Sequence, residues 1–101
     1  MTVKISVTSI DKIKNEQRRY VKYLRWDESF LIFLRQARPN EEPELTEACF
    51  IKNEFGEIII VDKTEEGILL NGQSTSKSKL NDGDQVLLFN TIYLSFSLYE
   101  L

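Results

Sequence analysis

Closely spaced turn signals in the second half of the chain constrain its fold more than any other feature. Asn71-Gly72 follows the apolar run Ile68-Leu69-Leu70, and this dipeptide tolerates the two positive φ angles of a type I′ hairpin turn. Phe55-Gly56 and Asn81-Asp82-Gly83-Asp84 are further turn signals. The short runs between these turns are rich in β-branched and aromatic residues, which is typical of strands. The pattern predicts strands at 49–52, 57–62, 68–70, 73–76, 85–89 and 91–98, and therefore a sandwich or a barrel.

The first half of the chain fits two secondary-structure patterns. Val3, Ile5 and Val7 alternate with polar residues and predict a half-buried strand. Residues 17–38 contain neither Gly nor Pro. Their aromatic and branched content favours two strands, at 20–26 and 30–33, around a turn at 26–29. The spacing of Tyr20, Tyr23, Leu24, Leu31 and Leu34 also suits one face of an amphipathic helix, and short apolar runs do not decide between the two.

Composition excludes several classes of function. The 101 residues have the size of one domain, which we expect to span 1–101. Histidine is absent and Cys49 is the one cysteine, which excludes histidine-based triads, the usual zinc sites and an intrachain disulfide. We therefore expect no enzyme, no cofactor and no metal site. Cys49 lies in a predicted strand and is expected to be a buried core residue, because no histidine can activate its thiol.

Charge and hydropathy bear on location and on partners. No apolar segment approaches the roughly 20 residues that cross a membrane, and the alternating amino terminus is unlike a signal peptide. We expect no membrane insertion by this chain and a cytoplasmic or other reducing intracellular location. The net charge of −3 gives no general attraction to nucleic acid.

Two segments of the second half resemble a known family. Residues 62–72 read Asp-Lys-Thr-Glu-Glu-Gly-Ile-Leu-Leu-Asn-Gly, and residues 80–86 read Leu-Asn-Asp-Gly-Asp-Gln-Val. They resemble the C-terminal half of a forkhead-associated (FHA) domain, where Asp-Leu-Ser-Ser-Asn-Gly-Thr-Phe-Val-Asn-Gly precedes Leu-x-Asp-Gly-Asp and a hydrophobic strand. The resemblance covers about residues 48–98 and implies an all-β, FHA-like β-sandwich of about ten to eleven short antiparallel strands. It also implies a protein-interaction domain, because FHA domains bind phosphothreonine peptides through loops at one end.

The chain departs from the family pattern at the implied binding positions. The Gly-Arg pair whose arginine contacts phosphate corresponds to Leu34-Arg35, without the glycine. The Ser-Arg-x-His stretch falls near 45–48, where only Thr46 offers a hydroxyl. The Ser/Thr-Asn-Gly that holds phosphate and peptide backbone falls on Glu65-Glu66-Gly67. The candidate binding positions are Arg35, Thr46, Thr64, Glu65, Glu66, Gly67 and Asn71, although Gly67 and Asn71 would also serve folding alone.

Electrostatics indicates what these departures mean. Phosphothreonine carries about −1.5 to −2 charge at neutral pH and needs cations and hydrogen-bond donors opposite it. Glu65 and Glu66 would repel it, and Arg35 alone would not offset two carboxylates. We therefore expect the fold to be kept and phosphothreonine recognition to be lost.

A basic and aromatic stretch is the candidate partner surface. Six cations, Lys12, Lys14, Arg18, Arg19, Lys22 and Arg25, are interleaved with Tyr20, Tyr23 and Trp26. Arg18, Arg19, Tyr20, Tyr23 and Trp26 are the residues that we expect to contact a protein partner with an acidic surface. Nucleic acid is the less favoured ligand of such a stretch. Glu41, Glu42, Glu44 and Glu47 are expected to form an acidic loop around Pro39 and Pro43.

The sequence hypothesis is a non-catalytic protein–protein interaction module within a larger assembly, such as a bacterial secretion machine or a scaffold protein. One alternative is a β-grasp, ubiquitin-like adaptor, with a helix within residues 14–36 and without the terminal Gly-Gly of the sulfur carriers, since the chain ends Tyr99-Glu100-Leu101. The other alternative is an FHA domain that still binds phosphothreonine. The oligomeric state is not predicted.

Overall fold

The computed structural model describes residues 2–36 and 44–101, and in them the backbone forms ten strands. They are β1 (Val3–Asp11), β2 (Glu16–Leu24), β3 (Ser29–Gln36), β4 (Glu44–Glu54), β5 (Glu57–Asp62), β6 (Ile68–Leu70), β7 (Gln73–Thr75), β8 (Lys77–Lys79), β9 (Gln85–Leu88) and β10 (Ile92–Glu100). Sheet A has the strand order β2-β1-β10-β9-β6-β7, and sheet B has the order β3-β4-β5-β8. Neighbouring strands within each sheet are antiparallel. The predicted all-β antiparallel sandwich is confirmed.

The core lies between the two sheets because apolar side chains alternate along their long strands. Ile5 and Val7 of β1 are fully buried, as are Ile51 of β4 and Leu94 of β10. Cys49 is also fully buried, as predicted. Burial, with the nearby carboxylate of Asp62 as a smaller cause, raises the pKa of its thiol to about 12. The interior is thus continuous across both sheets.

The isoleucine-rich strand β5 has one core face. Ile58 and Ile60 are buried, whereas Ile59 and Val61 on the opposite face are half-buried. A continuous apolar run of this length is typical of a strand that is buried on both faces. The structure gives full burial on one face and partial cover on the other.

The two strands favoured for residues 17–36 are confirmed as β2 and β3, and the amphipathic helix that their spacing also suited is wrong. β2 pairs with β1 over nine consecutive residue pairs, from Val3 opposite Leu24 to Asp11 opposite Glu16. β3 pairs with β4 in the other sheet, with a bulge between Ile32 and Phe33. The β-grasp alternative is wrong for the same reason, since it needs a helix in this part of the chain.

Backbone conformation explains why the turn signals were informative. Phe55-Gly56 has φ values of 52° and 86°, and Asn71-Gly72 has values of 49° and 85°, as type I′ turns require. Phe89-Asn90 makes a similar turn with φ values of 51° and 57° and without glycine. Strand β8 was not predicted, because its three residues, Lys-Ser-Lys, carry no apolar alternation.

Because neighbouring strands are antiparallel, each connection lies at one of two opposite ends of the sandwich. One end, which we call the loop end, holds residues 12–15, 63–67 and 89–91, together with the end of β3 and the start of β4. The opposite end, which we call the turn end, holds residues 25–28, 55–56, 71–72 and 80–84. Within the described residues, no helix is long and apolar enough to cross a membrane.

Candidate functional site

The residues implied by the family pattern do not all lie together. Thr64, Glu65, Glu66 and Gly67 occupy the connection between β5 and β6 at the loop end. Asn71 lies at the other end of β6, in the hairpin turn. Its side chain donates from Nδ2 to Asp84 Oδ1 at 2.9 Å and accepts from the Gln85 backbone N–H at 3.0 Å. The structure therefore places Asn71 in a network that joins two turns, away from the 63–67 connection.

Local hydrogen bonds fold the 63–67 connection onto itself. Asp62 Oδ1 accepts from both the backbone N–H and the hydroxyl of Thr64, each at 2.7 Å. The Thr64 hydroxyl oxygen accepts in turn from the Gly67 N–H at 3.0 Å. Gly67 has a φ of +85°, which a side chain would strain although a Cβ there would meet nothing closer than 4.0 Å. The Thr64 hydroxyl proton is thus already used inside the loop.

The charged groups of this connection are mostly acidic. Glu65 and Glu66 are exposed, and the half-buried carboxylate of Asp62 lies beside them in the chain. Lys63 is the cation of the segment, and its Nζ lies 5.7 Å from the centre of the Phe50 ring. Its backbone N–H donates to the Ala48 carbonyl at 2.9 Å, which anchors the connection to β4. The carboxylates of Glu65 and Glu66 are therefore exposed to solvent, whereas the ammonium group of Lys63 lies near an aromatic ring.

The other two candidate positions lie in paired strands. Thr46 is half-buried in β4 opposite Leu34, and Arg35 is paired through its backbone with Leu45. Glu44 and Glu47 were expected to lie in an acidic loop, and their place in strand β4 corrects that expectation. The acidic loop predicted around Pro39 and Pro43, including Glu41 and Glu42, lies outside the described residues. Glu44 and Glu47 belong to β4, where Glu47 is exposed.

The basic and aromatic stretch is largely exposed, as a partner surface requires. Arg18 and Arg19 in β2 are exposed, and Tyr23 and Trp26 are each 57 % exposed. Trp26 packs edge-on against Phe55, with 5.4 Å between ring centres. Tyr20 is half-buried against the core, and this burial raises its pKa to about 12, with Cys49 as a further cause. Tyr20 thus faces the interior, whereas Tyr23 and Trp26 are largely exposed to solvent.

A cleft between the two sheets was missed by the sequence reasoning. It has a volume of about 390 Å³ and opens between the edges of β2 and β3. Ile32, Leu34 and Leu94 line its apolar side, whereas Asp11, Glu16 and Arg18 line its polar side. Asp11 and Arg18 lie on the inward-facing sides of β1 and β2, nearer to the loop end than the buried residues of those strands. The change from apolar to charged residues along those sides is the sequence signal that would have located the cleft.

Comparison with known proteins gives a likeness in structure alone. No protein-family model matches the chain, and no curated protein matches it by sequence. The FHA domain structure of Rv0020c superposes with a TM-score of 0.64 at 16 % identity, over 96 % of this chain and 94 % of that chain. A crystal structure of Rad53 1–466 in complex with AMP-PNP superposes with a TM-score of 0.61, also at 16 % identity. That likeness covers 93 % of this chain and 30 % of the Rad53 chain.

Proposed function

We propose that this chain, which has an FHA-like fold, is a non-catalytic protein–protein interaction module that does not recognise phosphothreonine. The FHA-like sandwich predicted from residues 48–98 is confirmed at the level of fold, and it extends over nearly the whole chain. FHA domains, whose fold this chain shares, serve in protein interaction. The loss of phosphothreonine recognition is our inference from the loop end of this particular chain.

The 63–67 connection is the observation that supports the loss. Its hydroxyl, on Thr64, is engaged by Asp62 and Gly67, and its two exposed side chains are the carboxylates of Glu65 and Glu66. A carboxylate about 4 Å from a phosphate of charge −1.5 to −2 costs about 1 to 2 kcal/mol in a well-solvated site. Two such groups would weaken phosphopeptide binding by more than an order of magnitude.

The basic and aromatic surface is the proposed interaction site. Arg18 and Arg19 would steer an acidic partner towards the domain, since exposed charges accelerate association more than they strengthen the complex. Tyr23 and Trp26 would supply the aromatic contact area that typically dominates interface energy. A larger assembly, such as a secretion machine or a scaffold protein, is the setting in which a small module of this kind would serve.

Binding to a degenerate phosphothreonine peptide pool tests the proposal. We expect fluorescence anisotropy to show no difference in affinity between the phosphorylated pool and the same pool with threonine. Glu65→Ser with Glu66→Asn should raise affinity for the phosphorylated pool more than tenfold, because it removes both repulsive charges. Glu57→Ser with Glu100→Asn, which removes two exposed carboxylates at the turn end, is the matched control and should have little effect. Tight binding by the unmodified chain that disappears on dephosphorylation would contradict the proposal.

A further inference from the structure

Strand β2 forms a long and regular free edge of sheet A. Its nine residues pair with β1 on one side without any register shift, and no described strand pairs with its other side. The remaining edges are less suited to strand pairing. β7 and β8 have three residues each, and β3 carries the bulge at Ile32/Phe33. Unpaired backbone groups on a straight edge are ready to hydrogen-bond another strand.

The charge of this edge selects what can pair with it. β2 carries Arg18, Arg19 and Lys22 against one acid, Glu16. Within the described part of the chain, the ion pairs involve Lys52 and Lys79, and none involves β2. Cations on an edge oppose pairing with another copy of the same strand, because like charges would meet across it. The same cations favour a strand that carries carboxylates.

The two faces of β2 differ in what an added strand would meet. Tyr20 lies opposite the buried Val7, so Arg18, Tyr20 and Lys22 point towards the space between the sheets. Arg18 and Tyr20 line the cleft, which reaches Ile32 and Leu34 in sheet B. A strand added beside β2 would project alternate side chains over this cleft and would shield its apolar wall from water.

We propose that an acidic, extended segment of a protein partner adds to the free edge of β2 as a seventh strand of sheet A. This inference rests on the proposed function and specifies how the partner is held. Main-chain hydrogen bonds supply the binding, and carboxylates opposite Arg18, Arg19 and Lys22 supply the selectivity. Apolar side chains of the segment cover Tyr20 and Val21. We place the segment antiparallel to β2, because antiparallel pairs are the more stable per residue.

The test uses a synthetic probe complementary to β2. The peptide acetyl-Ser-Val-Glu-Val-Val-Glu-Glu-Ser-amide, when antiparallel, places its acids opposite Lys22, Arg19 and Arg18. It is titrated into the ¹⁵N-labelled chain while amide shifts and hydrogen exchange are followed. We expect saturable binding, with slower exchange at β2 amides that exchange rapidly in the free chain. A peptide with lysine in place of glutamate should bind at least about tenfold more weakly.

Two controls separate strand addition from a general attraction of charges. A probe that is N-methylated at every residue keeps its acids but lacks every backbone N–H, and it should not bind. Arg18→Glu with Arg19→Glu should weaken binding at least about tenfold with an unchanged melting temperature. Lys77→Glu with Lys79→Glu makes the same charge change on β8, at the far edge of sheet B, and should leave binding unaltered.

The outcomes distinguish this inference from the function on which it rests. No binding, equal binding of the N-methylated probe, or protection that avoids β2 would overturn strand addition. None of those results would be evidence for phosphothreonine recognition, which is measured separately with the phosphothreonine peptide pool. Conversely, phosphate-dependent binding at residues 63–67 would overturn the proposed function even if the acidic probe paired with β2.

Discussion

Asn53 is the polar residue on which the turn end of the sandwich depends. It is fully buried in β4. Its Nδ2 donates to the Leu24 carbonyl at 3.1 Å, and its Oδ1 accepts from the Gly56 N–H at 2.9 Å. Its backbone N–H and carbonyl bond to Glu28 and Asp27, both at 2.9 Å. One residue therefore joins the end of β2, the turn at 25–28 and the turn at 55–56.

Asn53→Ala should destabilise the domain through its lost side-chain hydrogen bonds. The Leu24 carbonyl would lose a buried donor at about 1 to 3 kcal/mol, and the part-buried bond to Gly56 is worth about 1 kcal/mol. The sum is about 2 to 4 kcal/mol, a large share of the 5 to 10 kcal/mol or so expected of a domain this small. The melting temperature should fall by about 10 to 25 °C.

Urea unfolding followed by far-UV circular dichroism and by Trp26 fluorescence measures this loss. Trp26 lies in one of the two turns that Asn53 holds and contacts Phe55 in the other, so its emission should change in the folded variant too. Asn81→Ala is the matched control, since the exposed Asn81 side chain makes no hydrogen bond within the described residues. Its effect should stay within about 0.5 kcal/mol. If the two variants unfold at the same urea concentration, the reasoning about Asn53 is wrong.

Two further predictions concern the core. Ile60→Ala should cost about 2 to 5 kcal/mol and Ile59→Ala clearly less, because Ile60 is fully buried and Ile59 is half-buried on the opposite face. Equal urea midpoints for the two variants would contradict the assignment of Ile60 to the core face of β5 and of Ile59 to the opposite face. Burial raises the pKa of Cys49 from 9.0 to about 12 and that of Tyr20 from 10.0 to about 12. The unfolded chain releases these protons at lower pH than the folded chain, so stability should fall as pH rises from about 9 to 12, and Cys49→Ala should flatten that fall. A urea midpoint that is constant across this pH range would refute the second prediction.

The sequence predicted those elements whose cause is local. Asn71-Gly72 and Phe55-Gly56 marked hairpins because positive φ is a property of the residues themselves. Val3, Ile5 and Val7 marked β1 because strand periodicity is visible along the chain. Residues 17–36 were ambiguous, since only pairing with β1 and β4 shows that they are strands.

The candidate site was harder to predict because its members depend on contacts that are distant in sequence. Thr64 was identified, but its hydrogen bonds to Asp62 and Gly67 were not. Asn71 was grouped with the loop positions, although antiparallel pairing carries it to the other end of β6. Asn53 escaped notice because its buried amide bonds to Leu24, 29 residues away in the chain. The cleft was missed because the change from apolar to charged residues along β1 and β2 locates it only once the register between these two strands is known.

The most direct test of the central claim is a chemical-shift map of the loop end during titration with the phosphothreonine peptide pool. The ¹⁵N-labelled chain is titrated in parallel with the phosphorylated pool and with the same pool carrying threonine. We expect the amides of Thr64, Glu65, Glu66 and Gly67 to show the same negligible shifts in both titrations, because the carboxylates at this end repel phosphate. Saturable shifts at those four amides with the phosphorylated pool alone would show that the domain reads phosphothreonine, and would contradict the account.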